Sequence, residues 1–205
     1  MIKEEVKEYI MEPIKFNIEE LKNNSNGFSY YLLGRSYDLE ENGITRDYNK
    51  ALEYYNMGLN IDYPLCEYSL GISLYYGLGD VLPVDKEKGN QLLIDAYPKI
   101  LKLINSENTS YEEKVYAKFV TGAYSYYGLG QIPLDKNEAF KIIKDCASWG
   151  HIGAIYDLGA NFYYNGVGTQ QDLKKAEEYL KLAKDAGLPR AIEKYAEYDF
   201  DKRKI

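Results

Sequence analysis

Few residues in this chain of 205 have the types and spacing that covalent or metal chemistry demands. His151 is the sole histidine, so neither a histidine-based metal cluster nor a Ser-His-Asp triad can be assembled. Cys66 and Cys146 occupy places where equivalent positions in the chain carry Ala, Ser or Gly. They therefore read as small packed residues, not as nucleophiles or disulfide partners. Gly-x-Gly stretches at 77–79, 128–130 and 166–168 invite comparison with phosphate-binding loops. However, no GxxxxGK(S/T) occurs, and no strand pattern precedes them. Carboxylates are plentiful, yet scattered as on a solvated helical face. These residues predict a non-enzyme, with no catalytic set, no metal site and no cofactor.

The elements that would position such residues are set by an internal repeat. The stretch from Leu158 to Gly187, LGANFYYNGVGTQQDLKKAEEYLKLAKDAG, has near-copies earlier in the chain. Anchored on their first Gly, the copies align at Gly34, Gly71, Gly122 and Gly159, with a recurring Asp at 47, 85, 135 and 172. Gly-to-Asp intervals are 13, 14, 13 and 13, and Asp-to-Gly intervals are 24, 37 and 24. The underlying period is thus near 37, with a 13-residue insertion in the second copy. A fixed period of this size marks a stacked repeat array.

Each copy predicts two helices. The first runs roughly over 28–40, 64–76, 112–127 and 151–164, and its anchor Gly implies close approach of a neighbouring helix, since Gly there costs about 1 kcal/mol relative to Ala. Gly-rich loops end it. The second helix opens at the recurring Asp, a good N-cap, and carries small residues four and eleven positions later that flank an apolar pair. Pro98 is expected to interrupt the second of these helices, with the inserted residues forming an extra turn or short helix and a loop. Outside the period, Ile2, Val6 and Ile10 fall on one helical face ended by Pro13, and Asn17 with Glu20 resembles a capping box. The resulting division is an N-terminal helical cap over 1–27, repeats over about 28–62, 63–110, 111–150 and 151–188, and a C-terminal capping helix with tail over 189–205. Ala191 and Ala196 there repeat the minus-five and anchor positions.

Composition restricts the partners. The net charge of −7 and sequence pI near 4.9 argue against nucleic acid or an anionic membrane as the main partner. No secretory leader and no run of about 18 apolar residues is evident, and two cysteines suit a reducing compartment, so membrane insertion is not expected and a cytoplasmic location is.

The repeat is similar to the Sel1-like family, a relative of the tetratricopeptide repeats. Ala154, Leu158-Gly159, Gly166-Val167-Gly168, Asp172, Ala176 and Ala183 to Gly187 follow its pattern, as does the Gly150-His151 junction. Departures are Thr121 in place of Leu, Asp62 in place of a terminal Gly, a long first loop and the inflated second unit. The resemblance implies an all-α fold, an α/α superhelical solenoid of about four helix-turn-helix repeats with helical caps at both ends. By likeness to tetratricopeptide arrays, it also implies a concave groove lined from the first helix of each unit at −3, +1, +4 and +5 from the anchor Gly. Those positions supply Tyr31, Tyr68, Phe119 and Tyr156 (−3), Arg35 and Ile72 (+1), Tyr75, Tyr126 and Tyr163 (+4), and Tyr76, Tyr127 and Tyr164 (+5). Tyrosine is abundant, with 23 copies against 6 Phe, and its rigid amphipathic ring suits binding hot spots. The expected function is a scaffold that binds a protein or peptide partner in this Tyr-lined groove, with some rings absorbed between units. The alternative is a bacterial immunity protein that neutralises one cognate toxin. Exposed rings could equally support self-association. Secreted relatives that act on β-lactams carry paired cysteines in every unit, and this chain lacks them.

Overall fold

The computed structural model describes residues 10–198 and 200, and the expected helix over Ile2 to Ile10 lies almost wholly outside them. From Ile10 to Asn17 the described chain is not helical. It lies against the third unit instead, with the Met11 and Ile14 N–H groups donating to the carbonyls of Ser148 and Gly150. Helix α1 (Ile18–Asn23) follows, and the Asn17 side chain accepts from the Glu19 and Glu20 N–H groups.

Eight helices then form four hairpins: α2 (Gly27–Leu39) with α3 (Tyr48–Asn60), α4 (Pro64–Tyr76) with α5 (Lys86–Asn105), α6 (Tyr111–Tyr127) with α7 (Lys136–Ser148), and α8 (Ile152–Asp157) with α9 (Leu173–Asp185). Helix α8 continues as a π-helical turn over Leu158–Tyr163. Helix α10 (Pro189–Tyr198) closes the far end. No strand occurs among the described residues, apart from an isolated bridge between Leu78 and Leu82. The fold is the all-α repeat solenoid that the period predicts.

Each recurring Asp caps its helix. Asp47, Asp85, Asp135 and Asp172 accept from the N–H groups of Lys50, Lys88, Glu138 and Lys175, satisfying donors that a helix start leaves open. The anchor glycines also share one environment. A Cβ at Gly34, Gly71, Gly122 or Gly159 would meet Tyr55, Leu93, Ile143 or Leu180, each eight residues after its own Asp, at 3.0 Å or less. The hairpin therefore closes glycine against the helix that follows it.

Two sequence expectations are corrected. Pro98 does not interrupt its helix, because α5 runs unbroken from Lys86 to Asn105. Pro98 is exposed, whereas Leu93, Ala96 and Ile100 on the opposite face are fully buried. The missing hydrogen bond thus falls on the solvent side, and burial of the other face holds the helix through it. The insertion consequently lengthens α5 instead of forming a separate element. At the C-terminus, Ala191 is fully buried as its repeat position requires. Ala196, the anchor equivalent, is exposed because no following hairpin helix packs on it among the described residues.

Candidate functional site

The inner face is built from the first helices of the hairpins, and its middle is filled by the protein itself. Tyr31 on α2 is fully buried, and its ring lies edge-on to Tyr116 at 6.1 Å. Arg35, one turn on, stands over both rings at 5.7 and 5.8 Å. Its guanidinium donates to both carboxylate oxygens of Glu41, at 2.7 and 3.3 Å. Arg190 of α10 reaches the same carboxylate at 3.5 Å and lies over Tyr156 at 4.8 Å. The last helix therefore meets the loop of the first repeat.

His151 lies within this plug. Its Nδ1 accepts the Ala154 N–H at 3.0 Å as the N-cap of α8, and its ring is held between Phe119 (4.0 Å) and Tyr116 (4.2 Å). Burial, reinforced by Arg35 and Arg190, holds its pKa well below the ordinary value. The imidazole is thus neutral and structural. Burial likewise raises both thiols, and Cys66 and Cys146 pack against the backbone near Gly27 and Val115. A raised thiol pKa gives little thiolate for nucleophilic work.

The remaining rings divide into three groups. Tyr68 is half-buried against Tyr124 (5.4 Å), and Ile72 is half-buried against the buried cluster that includes Tyr31, Leu93 and Tyr124. Tyr75 and Tyr126 are half-buried, each with a lysine from the start of its partner helix, Lys86 or Lys136, over the ring. Tyr76 and Tyr127, by contrast, are each 55% exposed, and each is braced edge-on by the preceding tyrosine at 4.9 and 4.8 Å. These two present open rings.

The fourth unit departs from the register that the sequence implies. In the first three units the capping Asp N–H donates to the residue three after the anchor Gly: Tyr37, Leu74 and Ser125. In the fourth, Asp172 donates to Tyr163, four after Gly159. The π-helical turn absorbs the extra residue. Tyr163 is accordingly buried against Tyr179 (5.5 Å), and Tyr164 takes the place that Tyr126 has in the third unit. Tyr164 stacks on Tyr198 of α10 at 3.5 Å, and Asn165 falls at the open-ring position.

Between α6 and the α8 π-turn lies a small open pocket, lined in part by Phe119, Tyr126, Tyr127, Phe162, Asp157 and Asn161. The Asn161 amide donates to Asp157 Oδ1 at 3.0 Å. Burial raises the Asp157 carboxyl pKa to about 6, despite the opposing charges of Arg190 and Arg35. Sequence reasoning missed Asp157 and Asn161 because carboxylates on helices usually face solvent. Their i, i+4 spacing beside a −3 aromatic was the available signal.

Stacked helical hairpins with no clustered metal ligands among the described residues define an α/α solenoid repeat protein. No helix there is long and apolar enough to cross a membrane. The Sel1 repeat model matches residues 27–60, 64–96, 115–142 and 152–188, more than half of the chain, which belongs to the Sel1 repeat family. Repeats of this family are generally protein–protein interaction modules. Similar solved structures include a protective antigen of uropathogenic Escherichia coli displaying an SLR fold (23% identity over 84% of this chain and 34% of that one, TM-score 0.41). A Sel1 repeat protein from Oxalobacter formigenes gives 21% identity over 89% and 48%, TM-score 0.40. A putative Sel1 repeat protein from Klebsiella pneumoniae subsp. pneumoniae gives 19% over 88% and 81%, TM-score 0.42. The chain therefore spans about a third and about half of the first two. No curated protein matches it.

Proposed function

We propose that this chain is a non-enzymatic scaffold that binds a protein partner on the open part of its concave side. The supporting observation is the pair Tyr76 and Tyr127, each 55% exposed and braced by a neighbouring ring. A ring already held in one orientation loses little conformational freedom when a partner covers it. Tyr75 and Tyr126 brace the two rings.

The test is a double substitution, Tyr76→Ala with Tyr127→Ala, compared with wild type in quantitative crosslinking and capture from native cells. Because both rings are exposed, stability should change by no more than about 0.5 kcal/mol each. Capture of the specific partner should fall by tenfold or more, since one buried aromatic anchor is worth about 2 kcal/mol. Undiminished capture by a folded double variant would remove the groove assignment.

A further inference from the structure

The pocket beside Tyr127 has a chemistry that the exposed tyrosines alone do not explain. Its walls are aromatic, from Phe119, Tyr126, Tyr127 and Phe162, and a single carboxylate, Asp157, lies among them. Its free volume of about 30 Å³ exceeds the roughly 10–15 Å³ that one water needs, which suits the head group of one side chain and not a whole small molecule. Ring faces attract cations through their quadrupole, and most strongly where water is displaced.

We propose that this pocket receives the terminal ammonium group of a lysine side chain from the partner. The inference rests on the scaffold reading above and adds the partner's anchoring residue. Three observations carry it. First, Asp157 has no cation within ion-pair distance among the described residues, and its recorded hydrogen bond comes from Asn161. Arg35 and Arg190 act on it only from a distance, being committed to Glu41. Second, two rings of the wall already hold an ammonium of this chain, which shows their affinity for that group. Lys136 Nζ lies 3.3 Å from the Tyr126 centroid and 5.6 Å from that of Tyr127. Third, Asn161 occupies Oδ1, so one carboxylate oxygen remains for the guest. A compact ammonium can use a single oxygen, whereas a guanidinium binds best to both. The net charge of −7 favours approach of a basic partner.

The burial that raises Asp157 to about 6 fits this picture, because a carboxylate satisfied by its own arginines would lie below the ordinary range. The charged and titratable groups around it are Arg35 on α2, Glu41 in the first loop, Tyr126 and Tyr127 on α6, Tyr156 on α8 and Arg190 on α10, with Lys136 of α7 over the two α6 rings. Asp157 itself is raised to about 6, so ammonium affinity should fall as pH drops through that value.

The probes are n-butylammonium, n-butylguanidinium and the neutral n-pentanol. Each is titrated into the full chain near neutral pH while the ring signals of Tyr126 and Tyr127 and the side-chain amide of Asn161 are followed by NMR. Saturable shifts at these groups with n-butylammonium, about tenfold tighter than with n-pentanol and tighter than with n-butylguanidinium, are the expected result. Asp157→Asn should erase that preference, the loss expected for one charge-assisted hydrogen bond being about tenfold. Equal binding of n-butylammonium and n-pentanol, or shifts that miss these three residues, would overturn the proposal. Tighter binding of n-butylguanidinium would overturn the choice of lysine. The wild-type comparison decides even if Asp157→Asn fails to fold. Partner capture lost in the Tyr76/Tyr127 double variant but unchanged in folded Asp157→Asn would leave the scaffold reading standing and remove the lysine subsite. Specific ammonium binding with capture insensitive to the double variant would keep the ammonium site but overturn both the groove assignment and the partner's lysine as its occupant.

Discussion

Gly89→Ala separates what the repeat pattern recommends from what the packing allows. Other units carry Ala51, Ala139 and Ala176 four residues after the capping Asp, so uniformity with them favours Ala at 89. Helix propensity agrees, giving Ala up to about 1 kcal/mol over Gly. The structure opposes both. A Cβ at Gly89 would lie 2.6 Å from Tyr75 N, 2.7 Å from Gly71 O and 2.9 Å from Tyr75 Cα. All three are backbone atoms of α4, so no side chain can rotate away. Ordinary contact needs about 3.5 Å, which requires α4 and α5 to part by nearly 1 Å. Strain of this kind costs about 1–3 kcal/mol, and fixed backbone on the far side places Gly89 at the upper end. The balance is a loss of about 1–2 kcal/mol, or a Tm lower by about 2–8 °C for a chain of this length. Differential scanning calorimetry of both proteins measures it. A Tm equal to or above wild type would show that α4 and α5 do not approach as described, and that the Gly71–Gly89 contact is not what fixes this hairpin.

Pro98→Ala should stabilise the chain by about 1–3 kcal/mol in urea denaturation, because it restores a hydrogen bond in an exposed helix interior. No gain would mean that α5 ends before Pro98. Glu41→Ala leaves Arg35, whose side chain is 10% exposed, without its partner, and should cost about 3–5 kcal/mol. It also releases Arg190, so amide exchange in α10 should accelerate relative to α3, and unchanged exchange there would count against the end-to-end contact. The pH dependence has two opposed parts. His151 titrates well below its ordinary value when folded, so its contribution is complete above about pH 6.5 and is lost as pH falls below it. Asp157 titrates near 6 when folded against 3.8 otherwise, so between those values the folded state holds the extra proton and stability falls as pH rises. The two cancel between about pH 4 and 6, and Asp157→Asn should therefore lose stability more steeply with acid than wild type. Parallel stability profiles for the two proteins would refute the assignment.

The sequence by itself determined the period, the helix pairs and where the second helix of each pair begins. Those depend on local chemistry repeated in register: an Asp that caps, a Gly that permits close approach, and Gly-rich loops that permit positive φ, as at Gly128 (+67°) and Gly168 (+66°). Asp62 shows how far this reaches, because at φ 57° it adopts the backbone that the repeat's terminal Gly would supply. Only the tertiary structure decided which tyrosines are open. Tyr31, Tyr126 and Tyr127 are the same residue type at groove positions, yet burial distinguishes them through neighbours remote in the chain, such as Tyr116 for Tyr31 and Phe162 for Tyr126. A period counted from Gly to Asp misses the π-helical turn, because a loop one residue shorter keeps the Gly159–Asp172 interval at 13 while the helix gains a residue and Tyr163 moves inward. The plug of Arg35, Glu41 and Arg190 joins residues more than 140 positions apart, because the helical array curves until its last helix meets its first repeat. Curvature is the sum of small packing angles over every hairpin, and no single stretch of sequence contains it.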